Sequence, residues 1–208
     1  MNKKNRINNA IYSEDYSDTI QLYKKMHSEG TVYDNAENTF DGKSLKFFIE
    51  PIKKIILETK SKSLIDFGCG KAKYYLENIN INNINYENVT KYWNINDYVL
   101  HDPGVEKYSK YPSKKADAVI CIDVIEHIPE KDVVRFINEI FNLSIKFIFM
   151  NIACYPAIKS LPDGRNVHLT IKEPTEWKKI ISKISLDFPN ILPYVICSTS
   201  RKKFISLF

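Results

Sequence analysis

An α/β fold, with a doubly wound, mostly parallel sheet and a terminal antiparallel hairpin, follows from three features of the 208-residue sequence. Short apolar runs bounded by polar or turn residues alternate with segments of helical periodicity. The runs are continuously apolar, as in strands buried on both faces. One of them, Leu64-Ile65-Asp66-Phe67, feeds directly into a Gly68-Cys69-Gly70 turn, at the edge where open α/β sheets bind their ligands. Alternating strands and helices imply a parallel sheet covered on both faces.

Residues 1–40 are rich in Asn, Asp, Glu, Tyr and Ser and show no strand pattern, so an N-terminal extension (residues 1–43) with a short helix at 17–27 is expected to fold over the site. The main domain then spans 44–208. From Ser44, Leu45, Phe48, Ile49, Ile52, Ile55 and Ile56 follow helical spacing, with Pro51 marking a kink or a late start. Strands are predicted at 63–67, 98–101, 118–122 and 147–152, with a helix at 71–78 after the glycine turn. The Asn- and Ile-biased stretch 78–85 reads as a loop insertion. Val133, Phe136, Ile137 and Ile140 mark one helix face. A second helix begins at Pro174, a residue suited to a first turn, and presents Trp177, Ile180, Ile181 and Ile184 on one side. Residues 191–198 and 203–208 complete the hairpin. Only 14 residues separate Asp102 from Asp117, so the third helix–strand unit is shortened or missing.

A hydrophobic fraction of 44% with 26% charged residues is that of a globular protein, and the length suits one domain. The net charge of +5 is spread along the chain, which permits nucleic-acid binding without indicating it. Cys69, Cys121, Cys154 and Cys197 form no CxxC pair, so neither a metal nor a disulfide framework is expected. Residues 1–10 are polar and basic, so no secretory leader is expected there, and no run of about 18 apolar residues occurs in the sequence. A soluble, cytoplasmic protein without membrane insertion is the expectation; oligomeric state is not legible.

The turn Asp66-Phe67-Gly68-Cys69-Gly70 brings bare backbone toward a ligand. A dinucleotide fingerprint needs a third glycine where Lys73 stands, and a phosphate-binding GxxxxGK[ST] loop is absent. With its acidic residue two before the first glycine, the segment resembles motif I of the class I S-adenosylmethionine-dependent methyltransferases. The segment Ala116-Asp117-Ala118-Val119-Ile120-Cys121-Ile122-Asp123-Val124-Ile125-Glu126-His127-Ile128 resembles that family's fourth-strand segment, in the right order. Together the likeness covers roughly residues 44–150; an unrelated nucleotide-binding α/β domain is the alternative.

The resemblance implies S-adenosylmethionine as cofactor, with Asp66 near its methionine amino group and Gly68, Cys69 and Gly70 around it. It also implies an acidic residue for the ribose hydroxyls, best matched by Asp102, although this lies 36 residues after Asp66 where about 20 is usual. Asp123, Val124, Glu126 and His127 would line the rim, Asp123 nearest the methyl; Glu126 and His127 read equally well as capping and surface groups. Lys43 and Ser44 would touch the cofactor carboxylate, with a helix-start role for Ser44 as the alternative.

Methyl transfer needs the acceptor atom held about 3 to 3.5 Å from the methyl carbon, and a base when that atom is a hydroxyl. The long polar stretch after the 147–152 strand offers Tyr155, Lys159 and Arg165 for an anionic acceptor and His168 as general base, with Asp123 the second choice. This stretch and Phe40-Asp41-Gly42-Lys43-Ser44 are similar to small bacterial methyltransferases of surface-polysaccharide biosynthesis. A metal-independent O-methyltransferase is thus expected, acting on a sugar, a nucleotide sugar or a phosphoramidate-type capsule building block. The alternatives are a nucleic-acid methyltransferase and a non-catalytic cofactor-binding module.

Overall fold

The computed structural model describes residues 12–200 and 203–208; the expectation made for residues 1–10 falls outside the described residues. Its strands are β1 (Ser63–Phe67), β2 (Ile79–Ile81), β3 (Ile84–Tyr86), β4 (Asp97–His101), β5 (Ala116–Ile122), β6 (Ser144–Ala153), β7 (Leu192–Ser200) and β8 (Lys203–Ser206). Its α-helices are α1 (Glu14–Glu29), α2 (Ile49–Thr59), α3 (Lys73–Leu76), α4 (Val89–Trp93), α5 (Glu130–Leu143) and α6 (Pro174–Ser185). Six strands form one sheet in the order β4-β1-β5-β6-β7-β8. All pairings in it are parallel except β7 with β8, so the first strand of the terminal hairpin belongs to the parallel set.

Alternating strand residues divide the interior into two layers, which makes the sheet doubly wound and Rossmann-like. Ile65, Val119, Cys121, Ile148 and Met150 pack with α5 and α6 residues such as Phe136, Ile137, Trp177 and Ile181. Leu64, Ala118, Ile120, Phe147 and Phe149 pack on the other face with Ile52 and Ile56 of α2 and Trp93 of α4. This two-sided burial is why β1, β5 and β6 read as apolar runs; β4, expected to be buried, is instead an edge strand exposed from Asp97 to Val99. Among the described residues no helix is long and apolar enough to cross a membrane.

Several elements depart from expectation for identifiable reasons. The helix at 17–27 extends to Glu14–Glu29 because Ser13 caps it, accepting from the Tyr16 amide, and Gly30 ends it. Pro51 marks a late start: α2 begins at Ile49 after a 3₁₀ turn at Lys43–Phe47, and a first-turn residue needs no amide donor. The helix at 71–78 shrinks to the single turn of α3, because Ala72 is left-handed and Glu77 extended. The loop insertion is instead the antiparallel hairpin β2–β3. Asn82 and Asn83 both have positive φ, the requirement of a two-residue type I′ turn. Between β4 and β5 only a 3₁₀ turn at Glu106–Tyr108 remains, the shortened third unit.

Ile137 is fully buried between α5 and the sheet. Ile137→Ala is expected to cost about 2–5 kcal/mol in urea unfolding, whereas Leu186→Ala, at a residue 79% exposed, should change stability by under about 0.5 kcal/mol.

Candidate functional site

β1 lies between β4 and β5, so the chain leaves it toward one edge of the sheet and later returns to its other side. That reversal opens a crevice beyond the carboxyl ends of the strands, where such sheets bind ligands. The connections following β1, β4, β5 and β6 border a cavity of about 980 Å³ there, within the range of small-molecule sites. The extension forms its other wall through Tyr16, Thr19, Ile20, Tyr23 and His27 of α1 and through Phe40, Asp41 and Gly42.

The glycine turn is held from three directions. The Gly68 and Cys69 amides donate to the His101 carbonyl at 2.7 and 3.1 Å. The Gly70 amide donates to Asp102 Oδ2 at 2.9 Å. The Phe40 and Asp41 carbonyls accept from the Lys71 and Lys73 amides at 3.1 and 3.0 Å. Gly70 has φ +55°, and a Cβ there would lie 2.2 Å from the Phe40 carbonyl oxygen; one on Gly68, at φ +96°, would lie 2.3 Å from Val124 Cγ2. Close approach by the chain's own atoms thus already requires glycine at both positions. Lys71 Nζ, half-buried, donates to the His27 and Thr39 carbonyls at 3.1 and 2.8 Å and to the Ala36 carbonyl. One ammonium therefore ties the end of α1 and the 31–41 segment to the glycine turn.

Five carboxyl groups line the cavity, one of them Asp34, which pairs with Lys159. Asp66, at the end of β1, is pushed up to about 7 by burial, aided by Asp102 and opposed by the neighbouring Tyr75 hydroxyl. Asp102 is also raised by burial but accepts from the Gly70 and Gly104 amides at 2.9 and 2.8 Å. Its carboxylate fastens the turn as well as facing the cavity. Asp123 sits at φ +55°, a sparsely populated backbone conformation of the kind found at functional sites. Burial raises it, while hydrogen bonds from Ser44 and Asn151 stabilise the charged form. Ser198 Oγ fixes the Asn151 amide at 3.0 Å. Asp41 pairs with Lys73 at 3.7 Å. Ser44 therefore serves Asp123 directly, and the helix-start position falls to Gly42, with Lys43 lining the cavity beside it.

Two histidines also line the cavity, their rings 5.0 Å apart and nearly perpendicular. His168 Nδ1 lies 2.6 Å from the Tyr155 carbonyl. His127 Nδ1 lies 2.8 Å from both the Val167 carbonyl and the Tyr23 hydroxyl, and Tyr23 itself donates to Val167 at 2.7 Å. A carbonyl accepts only from N–H, so the Tyr155 and Val167 carbonyls favour the tautomer of each ring with its hydrogen on Nδ1. Burial lowers His168 and, with the charge of His168, holds His127 at about 3; both are neutral near pH 7.

Asp66, Gly68, Cys69, Gly70, Asp102, Asp123, Val124, His127, Lys43, Ser44, Tyr155, Lys159 and His168 all line the cavity. Lys159 does so while bound to Asp34 at 2.7 Å. Arg165 does not line it: its guanidinium is held by Asp15 and Asp163 at 2.9 and 2.8 Å, which corrects its assignment to an anionic acceptor. Sequence reasoning missed Tyr16, Tyr23 and His27, whose spacing along one face of α1 was the available signal, and Lys71, which carried none. The chain matches no protein-family model, no curated protein and no solved structure.

Lys71→Met removes the ammonium shared by three carbonyls. It is expected to cost about 1–3 kcal/mol and to speed amide deuterium exchange across residues 31–41, while exchange in the sheet stays unchanged.

Proposed function

We propose that the cavity binds S-adenosylmethionine and transfers its methyl group to an oxygen of a small acceptor. The observation that carries the reading is Asp66, a buried carboxyl at the end of β1 that faces the cavity with no cationic partner among the described residues. Such a group favours a cationic ligand. Beside the glycine turn phosphate-bearing cofactors are disfavoured, because Asp66 and Asp102 face the space there and like charges repel; the lysines of the lining, Lys43, Lys46, Lys73 and Lys159, stand elsewhere along it or pair with acids. The single turn of α3 also offers no long helix dipole for a phosphate. A ligand with an ammonium, a sulfonium and ribose hydroxyls suits those carboxylates, and the volume leaves room for an acceptor beside it.

In this reading Asp66 holds the amino group and Asp102 accepts from the ribose hydroxyls with the lone pairs its two amide donors leave free. Bound there, the cofactor supplies an electrophilic methyl group. Val124 and Phe136, which line the cavity, help exclude water from it. His168 receives the acceptor's hydroxyl proton on Nε2, since Nδ1 is engaged by Tyr155; Asp123 is the second candidate. Glycan-related or phosphorylated metabolites, including capsule building blocks, remain the proposed acceptor class, with Tyr155 and Lys159 at the acceptor side.

Cofactor affinity should depend on pH through Asp66. Its carboxyl is raised from 3.8 to about 7 in the free protein, so folding stability from this group is present at low pH and declines as pH rises through that window. A cationic ligand needs the ionised form, and binding releases a proton. Affinity measured by calorimetry should therefore strengthen by up to about tenfold per pH unit below 7 and level off above it. Asp66→Asn should weaken binding and flatten the profile; a flat profile in the unaltered protein would sink this placement. His168→Ala should slow transfer by about 10²–10⁴ with little change in cofactor affinity, checked by single-turnover methylation against calorimetry.

A further inference from the structure

We propose that Glu126, His127 and His168 form a binding site for a divalent first-row transition-metal cation in the wall of the cavity. One ligand atom from each lies within 4.8 Å of those of the other two. The sequence pointed to no metal, because His168 is 41 residues from His127 and only the fold unites them.

The first observation is an orphaned oxygen. Glu126 is fully buried, with Oε1 accepting from the Ala153 amide at 3.1 Å. Oε2 has no hydrogen-bond partner. Fastening the Ala153 amide accounts for one carboxylate oxygen and leaves the other desolvated at a cost; a bound cation would satisfy it.

The second is the orientation of the rings. Each histidine has Nδ1 against a backbone carbonyl, Tyr155 for His168 and Val167 for His127. A metal-ligating histidine characteristically gives its other N–H to such a carbonyl, which fixes the tautomer and presents an unprotonated Nε2. The two segments carrying the ligands are also locked together. Thr170 donates from its amide to the Glu126 carbonyl at 2.9 Å and from its hydroxyl to the Ile128 carbonyl at 2.7 Å.

Two imidazoles and one carboxylate suit Zn²⁺, Mn²⁺, Fe²⁺ or Co²⁺, and leave coordination positions open toward the cavity that both histidines line. With bonds of about 2.1 Å, ligand atoms stand about 3 to 3.5 Å apart, so occupancy draws the cluster inward by roughly an ångström. The use of this site, though not its existence, rests on the methyl-transfer reading. There the cation would take the acceptor's oxygen and ease loss of its proton. His168 then acts through the cation, and Asp123, close enough for its charge to act on His168, takes the proton.

The test is titration of the chelator-stripped full chain with Co²⁺, followed by visible d–d absorption, and with Zn²⁺ by calorimetry. One ion per chain is expected, bound at least tenfold more weakly by Glu126→Gln and by His168→Ala, with no thiolate-to-cobalt charge-transfer band. Failure of the unaltered chain to bind either ion overturns the proposal, as does unchanged affinity in both variants or a charge-transfer band placing the ion on Cys154. Should Glu126→Gln fail to fold, as judged by circular dichroism, His168→Ala decides alone. S-adenosylmethionine calorimetry on the same samples separates the two readings: Co²⁺ binding lost in His168→Ala supports the metal site whether or not the cofactor binds.

Discussion

The Gly70–Lys71 peptide is the point on which the rest of the cavity depends. Its glycine carries a left-handed backbone pressed against the Phe40 carbonyl and gives its amide to Asp102. Its lysine sends an ammonium to three carbonyls of the N-terminal segment. The end of β1, the end of β4 and the 27–41 stretch are thereby fixed to one another. The extension is consequently a wall of the cavity, with Tyr23 reaching Val167 and His127 from the same helix. Further along, Ser13 bonds Asp132 and Tyr12 bonds Glu139, anchoring α1 to α5.

Electrostatics in the cavity follow from how each carboxyl is satisfied. Asp102 has two backbone amides, Asp123 has Ser44 and Asn151, and Asp41 has Lys73. Asp66 has no cationic partner among the described residues, and Glu126 has one amide for two oxygens. In a low-dielectric interior an incompletely satisfied acid is costly. These two residues are therefore the sites from which ligand chemistry is inferred, an organic cation for one and a metal ion for the other.

Legibility in the sequence tracked the range of the forces involved. β1, β5 and β6 and the α5 and α6 faces were readable because burial on both sides of a parallel sheet writes continuous apolar runs and 3.6-residue stripes into the chain, whereas β4 lies at the sheet edge and is largely exposed. The β2–β3 hairpin escaped because its signal is the left-handed preference of Asn82 and Asn83 and not an apolar pattern. Asp66, Asp102 and Asp123 were singled out because they stand at strand ends, and the fold brings all three to the cavity. Arg165 was misplaced because its nearest acid in the fold, Asp15, is 150 residues away in sequence.

Local chemistry thus determined the strand and helix pattern, the glycine turn and the acids at the strand ends, since each depends on neighbours within a few residues. Long-range contact decided the remainder. Glycine is required at position 70 because Phe40 arrives there, His168 faces His127 because the 154–170 segment folds back over β5, and Glu126 keeps a bare oxygen because the core closes around it. Those outcomes arise from the meeting of segments remote in sequence, where burial and hydrogen bonding are settled by packing and not by the residues on either side.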